Sequence, residues 1–172
     1  MSTTTIESAP PETHKEIHRI ASATVRFAGD SGDGMQSVGE QFSHTSALLG
    51  NDISTFPDYP AEIRAPRGTL AGVSAFQVHF SEDEIYTPGD ALDALVVMNP
   101  AALKTNLSDL RKGGVLIANA ESFEKKDLEM AGYDNNPLES EVLEHTYQLY
   151  KVPMTKIVRE ALKGILESNK EI

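Results

Sequence analysis

The sequence predicts an α/β domain built on a mostly parallel central sheet that is flanked by helices. Short apolar segments with strand spacing alternate with segments of helical spacing, which is the pattern of parallel strands joined by crossover helices. Residues 92–98 are apolar almost throughout, as expected of a parallel strand buried on both faces. Residues 24–50 follow the pattern of a strand, a glycine-rich turn and a helix. The 172 residues are enough for one domain with a substantial core.

Each element follows from the spacing of apolar residues. A helix is predicted after the glycine turn, with Met35, Val38 and Phe42 on one face and an end near Gly50. Strands are predicted over residues 24–28, 73–80 (with one strongly apolar face), 92–98, 115–118 and 147–152, and helices over residues 101–110 and, with an apolar stripe, from Pro153 onward. Residues 57–66 contain three prolines and are predicted as an extended loop, residues 112–114 as a turn, and residues 122–144 are left unassigned.

Charge and composition exclude several classes of function. Twenty-six acidic residues against fifteen Lys and Arg give a net charge of −11, which disfavours nucleic acid and anionic membranes as partners. The absence of cysteine excludes disulfides, a thiolate nucleophile and any cysteine-held zinc or iron–sulfur cluster in this chain. Residues 1–22 are predicted as a disordered or weakly ordered tail without signal-peptide character, so we expect a soluble, cytoplasmic protein.

Three glycines, Gly29, Gly32 and Gly34, lie between the first strand and the first helix. Backbone amides at such a junction can cradle an anion. The same glycines can instead serve only a tight turn and close packing of the helix on the sheet, and both interpretations stay open. We also expect Gly32 to need a positive φ or a close approach, so that Gly32→Val would damage folding or assembly.

The residues around these glycines narrow the class of ligand. Met35 and Gln36 replace the Lys and Ser/Thr of a nucleoside-triphosphate-binding loop, and Ser37 replaces the third glycine of a dinucleotide-binding turn. Asp30 and Asp33 place two negative charges in the turn, where they would repel a bare diphosphate. We therefore expect the turn to meet hydroxyls, an enclosed neutral group or basic groups of a neighbouring chain.

Two further positions are candidates for binding. Arg64 follows a proline-stiffened segment and can grip a carboxylate or a phosphate, or else pair locally with Asp58 or Glu62. Asn99 directly follows a predicted buried strand, where open α/β sheets place their binding loops. The alternative for Asn99 is a turn-forming role before Pro100.

Six segments occur in a fixed order along the chain: FAGDSGDGMQSVGE at 27–40, FPDYPAEIR at 56–64, GVS at 72–74, DALVVMN at 93–99, LRKGGVLI at 110–117 and VPMT at 152–155. Together they resemble the gamma domain of the 2-oxoacid:ferredoxin oxidoreductases, over about residues 23–166. The glycine turn and the Tyr-Pro-Ala-Glu-Ile-Arg segment are most similar to the gamma domain that is fused to the alpha subunit in 2-oxoglutarate:ferredoxin oxidoreductase. The resemblance implies the pyruvate-ferredoxin oxidoreductase gamma-domain type of fold over residues 23–172, and it leaves open that the domain is incomplete at the carboxyl end.

The resemblance also implies a reaction. Enzymes of this family oxidatively decarboxylate a 2-oxoacid, here expected to be 2-oxoglutarate, to an acyl-coenzyme A, and some run the reverse, CO2-fixing reaction. Thiamine diphosphate, Mg2+ and [4Fe–4S] clusters are then expected in the complex but not in this chain, which would supply no catalytic residue and no metal ligand. The implied partners are the alpha region, the beta subunit and, through the complex, ferredoxin.

The residues of this chain that the resemblance implies in contacts with coenzyme A, substrate or the interface are Gly29, Ser31, Gly32, Gly34, Tyr59, Arg64 and Asn99. Two other classes of function are open from the sequence. One is an independent nucleotide- or flavin-binding module, which the two aspartates of the glycine turn disfavour. The other is a scaffold without a small ligand, which the ordered segments disfavour.

We predict that Arg64→Ala in the assembled oxidoreductase raises the apparent KM for the 2-oxoacid or for coenzyme A about ten- to hundredfold. The reason is that a charge-assisted hydrogen bond contributes about 1.5–3 kcal/mol. Arg64→Lys should restore binding only in part, since lysine lacks the planar fork. Steady-state kinetics measure both variants. A normal KM in an enzyme that is less stable or poorly assembled would assign Arg64 to a local ion pair instead.

Overall fold

The computed structural model describes residues 19–59 and 72–168. In this part of the chain six strands form one sheet in the order β2-β3-β1-β4-β5-β6, with β1 at Ser22–Asp30, β2 at Asp52–Asp58, β3 at Val73–Ser81, β4 at Leu92–Val97, β5 at Leu110–Asn119 and β6 at Gln148–Val152. The helices are α1 (Met35–Leu48), α2 (Pro100–Asn106), α3 (Lys125–Met130), α4 (Glu141–Thr146) and α5 (Met154–Ser168). Residues 1–18 of the predicted tail lie outside the described residues.

The sheet is mixed, and five of its six strands point the same way. Strands β1, β4, β5 and β6 pair in parallel, whereas β3 is antiparallel to both β1 and β2. The prediction of an α/β fold with a mostly parallel sheet is therefore confirmed. Strand β4 lies at the centre of the core, where Leu92, Leu95 and Val97 are fully buried, as its apolar sequence predicted.

Helices α1 and α2 pack on opposite faces of the sheet. Two neighbouring residues of β1 show this, because successive side chains of a strand point to opposite faces. Phe27 faces α1, and its ring centroid lies 5.4 Å from that of Phe42. Its neighbour Arg26 points the other way and contacts Asn106 of α2. After β1 the chain continues toward β2 and β3, and after β4 it continues toward β5. The carboxyl ends of β1 and β4 therefore form the switch point at which open α/β sheets bind ligands.

The α2 face of the sheet contains a buried polar cluster that the sequence did not predict. Strand β3 was expected to have a single strongly apolar face, but Gln77 on its other face is only 3% exposed. The side-chain oxygen of Gln77 accepts from Arg26 at 2.6 and 3.0 Å, and its amide donates to the carbonyls of Pro88 and Gly89 at 2.6 and 2.7 Å. Arg26 also pairs with Asp109 at 2.5 Å. Burial of these polar groups is tolerated because each has partners.

Three local predictions are corrected by the structure. The proline-rich loop was predicted to begin at residue 57, but β2 runs through Pro57 to Asp58; a proline is accepted there because β2 is an edge strand. The turn at residues 112–114 lies inside β5, where Gly113 has a φ of 77° and the pairing with β4 shifts register. Residues 122–144, left unassigned from the sequence, contain α3 and the first four residues of α4.

We predict that Gly39→Ala destabilises the domain by about 1–3 kcal/mol, the usual effect of overpacking a core. Gly39 is buried where α1 crosses β3, and a Cβ there would lie 2.7 Å from the Cβ of Phe76 and closer still to its ring. Gly32→Ala is the matched control, since no atom lies within 4 Å of its added Cβ. Chemical denaturation measures both variants. Equal stabilities for the two would show that α1 does not approach β3 this closely.

Candidate functional site

A cleft of about 300 Å3 opens at the carboxyl ends of β1, β4 and β5. Five segments contribute to it: the glycine turn after β1, the start of α2 after β4, the end of β5 with the following residues, α3 and the first turn of α5. Its lining residues are Asp30, Asp33, Met98, Asn99, Pro100, Ala101, Asn119, Ser122, Asp127, Met130, Ala131 and Thr155. The cleft lies at the switch point of the sheet, so the fold itself makes it the candidate functional site.

The glycine turn closes on itself through Asp33. The carboxylate of Asp33 accepts from the backbone N–H of Asp30 at 2.8 Å, and the Asp33 N–H donates to the Asp30 carbonyl at 3.0 Å. Gly34 has a φ of 74° and leads into α1, a conformation that favours glycine. At Gly29 an added Cβ would lie 2.6 Å from the Asp33 carboxylate and 3.0 Å from the Cβ of Met98. Two of the three predicted glycines thus have a conformational or packing requirement.

The expectation for Gly32 is wrong. Gly32 does not have a positive φ, and an added Cβ would meet no atom within 4 Å. It is exposed at the tip of the turn together with Ser31, and neither residue lines the cleft. The requirement that the sequence assigned to Gly32 belongs to Gly29 and Gly34 instead.

Asn99 connects the two turns that form the mouth of the cleft. Its side-chain oxygen accepts from the backbone N–H of Ala102 at 2.8 Å and so caps α2, while its amide donates to the Asp30 carboxylate at 2.8 Å. The turn-forming role considered for Asn99 is therefore present, and the residue also lines the cleft. The Asn99 amide makes this pair of bonds because it carries an acceptor oxygen and a donor nitrogen side by side.

The cleft is lined by acids. Asp30, Asp33 and Asp127 contribute three carboxylates, and among the described residues that line the cleft there is no Lys, Arg or His. Desolvation raises the pKa of Asp30, the Asn99 hydrogen bond opposes this shift, and the charges of Asp33 and Asp127 add to it. Carboxylate and amide oxygens accept hydrogen bonds, so this surface suits N–H and O–H donors and repels phosphate. Of the two interpretations left open for the glycine turn, these carboxylates disfavour the anion cradle.

The structure describes one of the two remaining predicted positions. Tyr59 is 67% exposed just after β2 and does not line it, and Arg64 lies outside the described residues. Asn119, Ser122, Asp127 and Thr155 line the cleft but were not predicted. Asn119 was detectable by the same reasoning as Asn99, because it ends a buried parallel strand. Ser122 and Asp127 belong to a region whose sequence shows no clear periodicity.

Within the described residues, no group of three His, Cys, Asp or Glu side chains is arranged to hold a metal ion. Among the helices of the same part of the chain, none combines the length and the hydropathy needed to cross a membrane.

The sequence model of the pyruvate ferredoxin/flavodoxin oxidoreductase family matches residues 24–169, which is most of the chain. The chain belongs to this family. The resemblance drawn from the six ordered segments is thereby confirmed.

Relatives within the oxidoreductase family agree on the type of enzyme. The chain is 48% identical to the 2-oxoglutarate oxidoreductase subunit KorA of Mycobacterium tuberculosis over 170 residues, which are 95% of this chain and 26% of KorA. It is similar to the solved 2-oxoglutarate:ferredoxin oxidoreductase of Magnetococcus marinus, which has 2-oxoglutarate, coenzyme A and succinyl-CoA bound. That match has a TM-score of 0.63 and 25% identity, and covers 83% of this chain and 22% of that one.

The gamma subunit of a keto/oxoacid ferredoxin oxidoreductase from Geobacter sulfurreducens shares the fold. Its TM-score is 0.56 at 18% identity, over 81% of this chain and 66% of that subunit. This match bears out the gamma-type architecture. The chain spans only about a quarter of the length of KorA, so this family domain corresponds to one part of a larger protein in that relative.

We predict that Asp30→Asn stabilises the domain at pH 7. Folding raises the pKa of Asp30, so the folded state binds this proton more tightly than the unfolded state does. The contribution of Asp30 to the free energy of unfolding is therefore lost as the pH rises through the folded pKa. Asparagine removes the charge near Asp33 and Asp127 and can still accept the Asn99 hydrogen bond. Thermal unfolding should give a higher Tm for Asp30→Asn at pH 7, and the difference should narrow as the pH falls toward about 3.9.

Asp90→Asn is the control for this pH series, because Asp90 is an exposed acid on the loop between β3 and β4. It should leave Tm almost unchanged across the same pH range. A lower Tm for Asp30→Asn at pH 7 would mean that the Asp30 charge stabilises the turn, contrary to the electrostatics of the cleft.

Proposed function

We propose that this chain is the gamma component of a 2-oxoglutarate:ferredoxin oxidoreductase. The observation that carries the proposal is the 48% identity to KorA over 95% of the chain. The overall reaction converts 2-oxoglutarate, coenzyme A and two oxidised ferredoxins into succinyl-CoA, CO2, two reduced ferredoxins and a proton, or runs in reverse. We place the complex in the cytoplasm, where coenzyme A and ferredoxin are available.

The redox and carbon chemistry in this proposal belongs to other parts of the complex. Thiamine diphosphate with Mg2+ supplies the decarboxylation chemistry, and [4Fe–4S] clusters pass the electrons to ferredoxin. The chain has no cysteine with which to hold a cluster. Its partners are the alpha region, which binds thiamine diphosphate, and the beta subunit.

The part that we assign to this chain is to help enclose coenzyme A or the 2-oxoacid. The acceptor-rich cleft offers the carboxylates of Asp30 and Asp127 to a ligand, beside the amide oxygens of Asn99 and Asn119, each of which already accepts one backbone N–H. These groups match the amide N–H and hydroxyl donors in the pantetheine arm of coenzyme A, and they repel its phosphates. Arg64 is the candidate for an anionic group of the same ligand.

The function is tested by exchanging the matched region of M. tuberculosis KorA for this chain and purifying the chimera with the other subunits of that enzyme. We predict that the chimera reduces a viologen dye when 2-oxoglutarate and coenzyme A are both present. The isolated 172-residue chain should reduce none, because it cannot hold a cluster. Unmodified KorA enzyme is the positive control.

Two results would contradict the proposed function. One is dye reduction by the isolated chain. The other is a chimera that assembles with its full cofactor content but does not oxidise 2-oxoglutarate, while the unmodified enzyme does.

A further inference from the structure

Helix α5 has an apolar stripe that nothing in the described part of the chain covers. Ile157, Val158 and Leu162 lie on one side of it at the spacing of a helix face and are 51%, 55% and 41% exposed. Residues 155–163 are exposed throughout. The apolar stripe of α5 was predicted from the sequence, but the structure does not bury it in the core of this domain.

The helix is attached to the domain near its first turn. The side-chain oxygen of Asn119 accepts from the backbone N–H of Met154 at 3.2 Å, and the Glu121 carboxylate accepts from that of Lys156 at 2.8 Å. From there 15 residues extend over about 22 Å. Isolated helices of this length are marginal in water, and a helix of this kind is normally stabilised by packing its apolar face.

The stripe borders an apolar groove that is continuous with the acidic cleft. The groove has a volume of about 420 Å3 and is lined by Met98, Met154, Thr155, Val158, Arg159 and Leu162. Met98 and Thr155 line both the groove and the cleft. A partner that covers the stripe is therefore brought beside the carboxylates of Asp30, Asp33 and Asp127.

Charge decides between the two simplest occupants of this surface. A second copy of the chain would bring another −11 and a second acidic cleft to the interface, where like charges oppose association. An apolar segment matches the stripe and the groove, in whose described lining Arg159 is the one charged residue, and a lysine or arginine beside that segment matches the three carboxylates of the cleft. In KorA about three quarters of the polypeptide lies outside the region that matches this chain, so a large partner surface is available in that relative.

We propose that the apolar stripe of α5 docks on the thiamine-binding alpha region of the oxidoreductase. The docking segment of the alpha region is apolar and places a lysine or arginine at the mouth of the acidic cleft. This inference rests on the proposed function for the identity of the partner. It rests on the exposed stripe, the continuous groove and the three carboxylates for the surface itself.

The test compares two double variants of α5. The variant Val158→Asn/Leu162→Asn introduces two asparagines into the stripe. The control Glu160→Asn/Lys163→Asn introduces two asparagines on the opposite face of the helix and leaves the net charge unchanged. Because all four positions are exposed, neither pair should alter the Tm of the isolated chain. A Tm loss confined to the stripe variant would show that the stripe packs within this chain, and would overturn the proposal.

Both variants are then placed in the KorA chimera, and hydrogen exchange of the α5 amides is measured. The chimera and its Glu160/Lys163 variant should exchange at least tenfold more slowly than the isolated chain, and the Val158/Leu162 variant should lose this protection. Asp127→Asn should weaken the protection, because it removes one carboxylate from the mouth of the cleft. If α5 is as protected in the Val158/Leu162 variant as in the unmodified chimera, the docking is overturned. If it is as protected in Asp127→Asn as in the unmodified chimera, the basic residue proposed for the partner is overturned.

Two further outcomes separate the alternatives. If the isolated chain forms dimers and the Val158/Leu162 variant is monomeric, the surface binds a second copy and the proposal is overturned. Hydrogen exchange does not depend on turnover, so α5 protection in an inactive chimera would support the docking while contradicting the proposed function. An active chimera with unprotected α5 would support the proposed function and overturn the docking.

Discussion

The close approach of the carboxyl ends of β1 and β4 is the constraint on which the rest of the structure depends. The backbone N–H of Met98 donates to the Ala28 carbonyl at 2.9 Å, and the Asn99 amide holds the Asp30 carboxylate at 2.8 Å. Gly29 makes this possible, because any side chain there would strike Met98. From this fixed point α1 and α2 leave on opposite faces of the sheet, and the cleft is the space between their first turns.

The buried polar cluster under α2 holds β1 and β3 in register. Arg26 of β1 and Gln77 of β3 are directly paired, and Arg26 also reaches Asn106 at the end of α2. A shift of one residue would turn Arg26 toward the phenylalanines packed under α1, where its charge would lack partners. The cluster thus favours one pairing of β1 with β3, and that pairing places Gly29 opposite the start of β3.

The sequence predicted those features that depend on the residues of one segment, and it missed those that depend on a neighbouring strand or on how a turn packs. The apolar runs of β4 and β5 and the position of Asn99 after a buried strand needed no knowledge of neighbours. The strand β2 was missed because its residues are mostly exposed and include Pro57, so it lacks the alternation of a half-buried strand. Gly113 was predicted to lie in a turn because its place in β5 depends on the register with β4, which the local sequence does not show. The positive φ was predicted at Gly32 and not at Gly34 because φ depends on how the turn packs.

The acidic cleft also limits how the complex can hold a polyanion such as coenzyme A. A phosphate about 4 Å from one of these carboxylates would be opposed by about 4 kcal/mol at an effective dielectric of 20, and screening becomes effective only beyond about 8–10 Å. Strand β2 ends at the same edge of the sheet as β1 and lies two strands away, which is about 10 Å. Arg64 follows Asp58 by six residues, a reach of at most about 20 Å. Under the proposed function, an arginine beyond β2 would therefore hold a phosphate outside the field of the cleft, and the neutral arm of the same ligand would occupy the cleft itself.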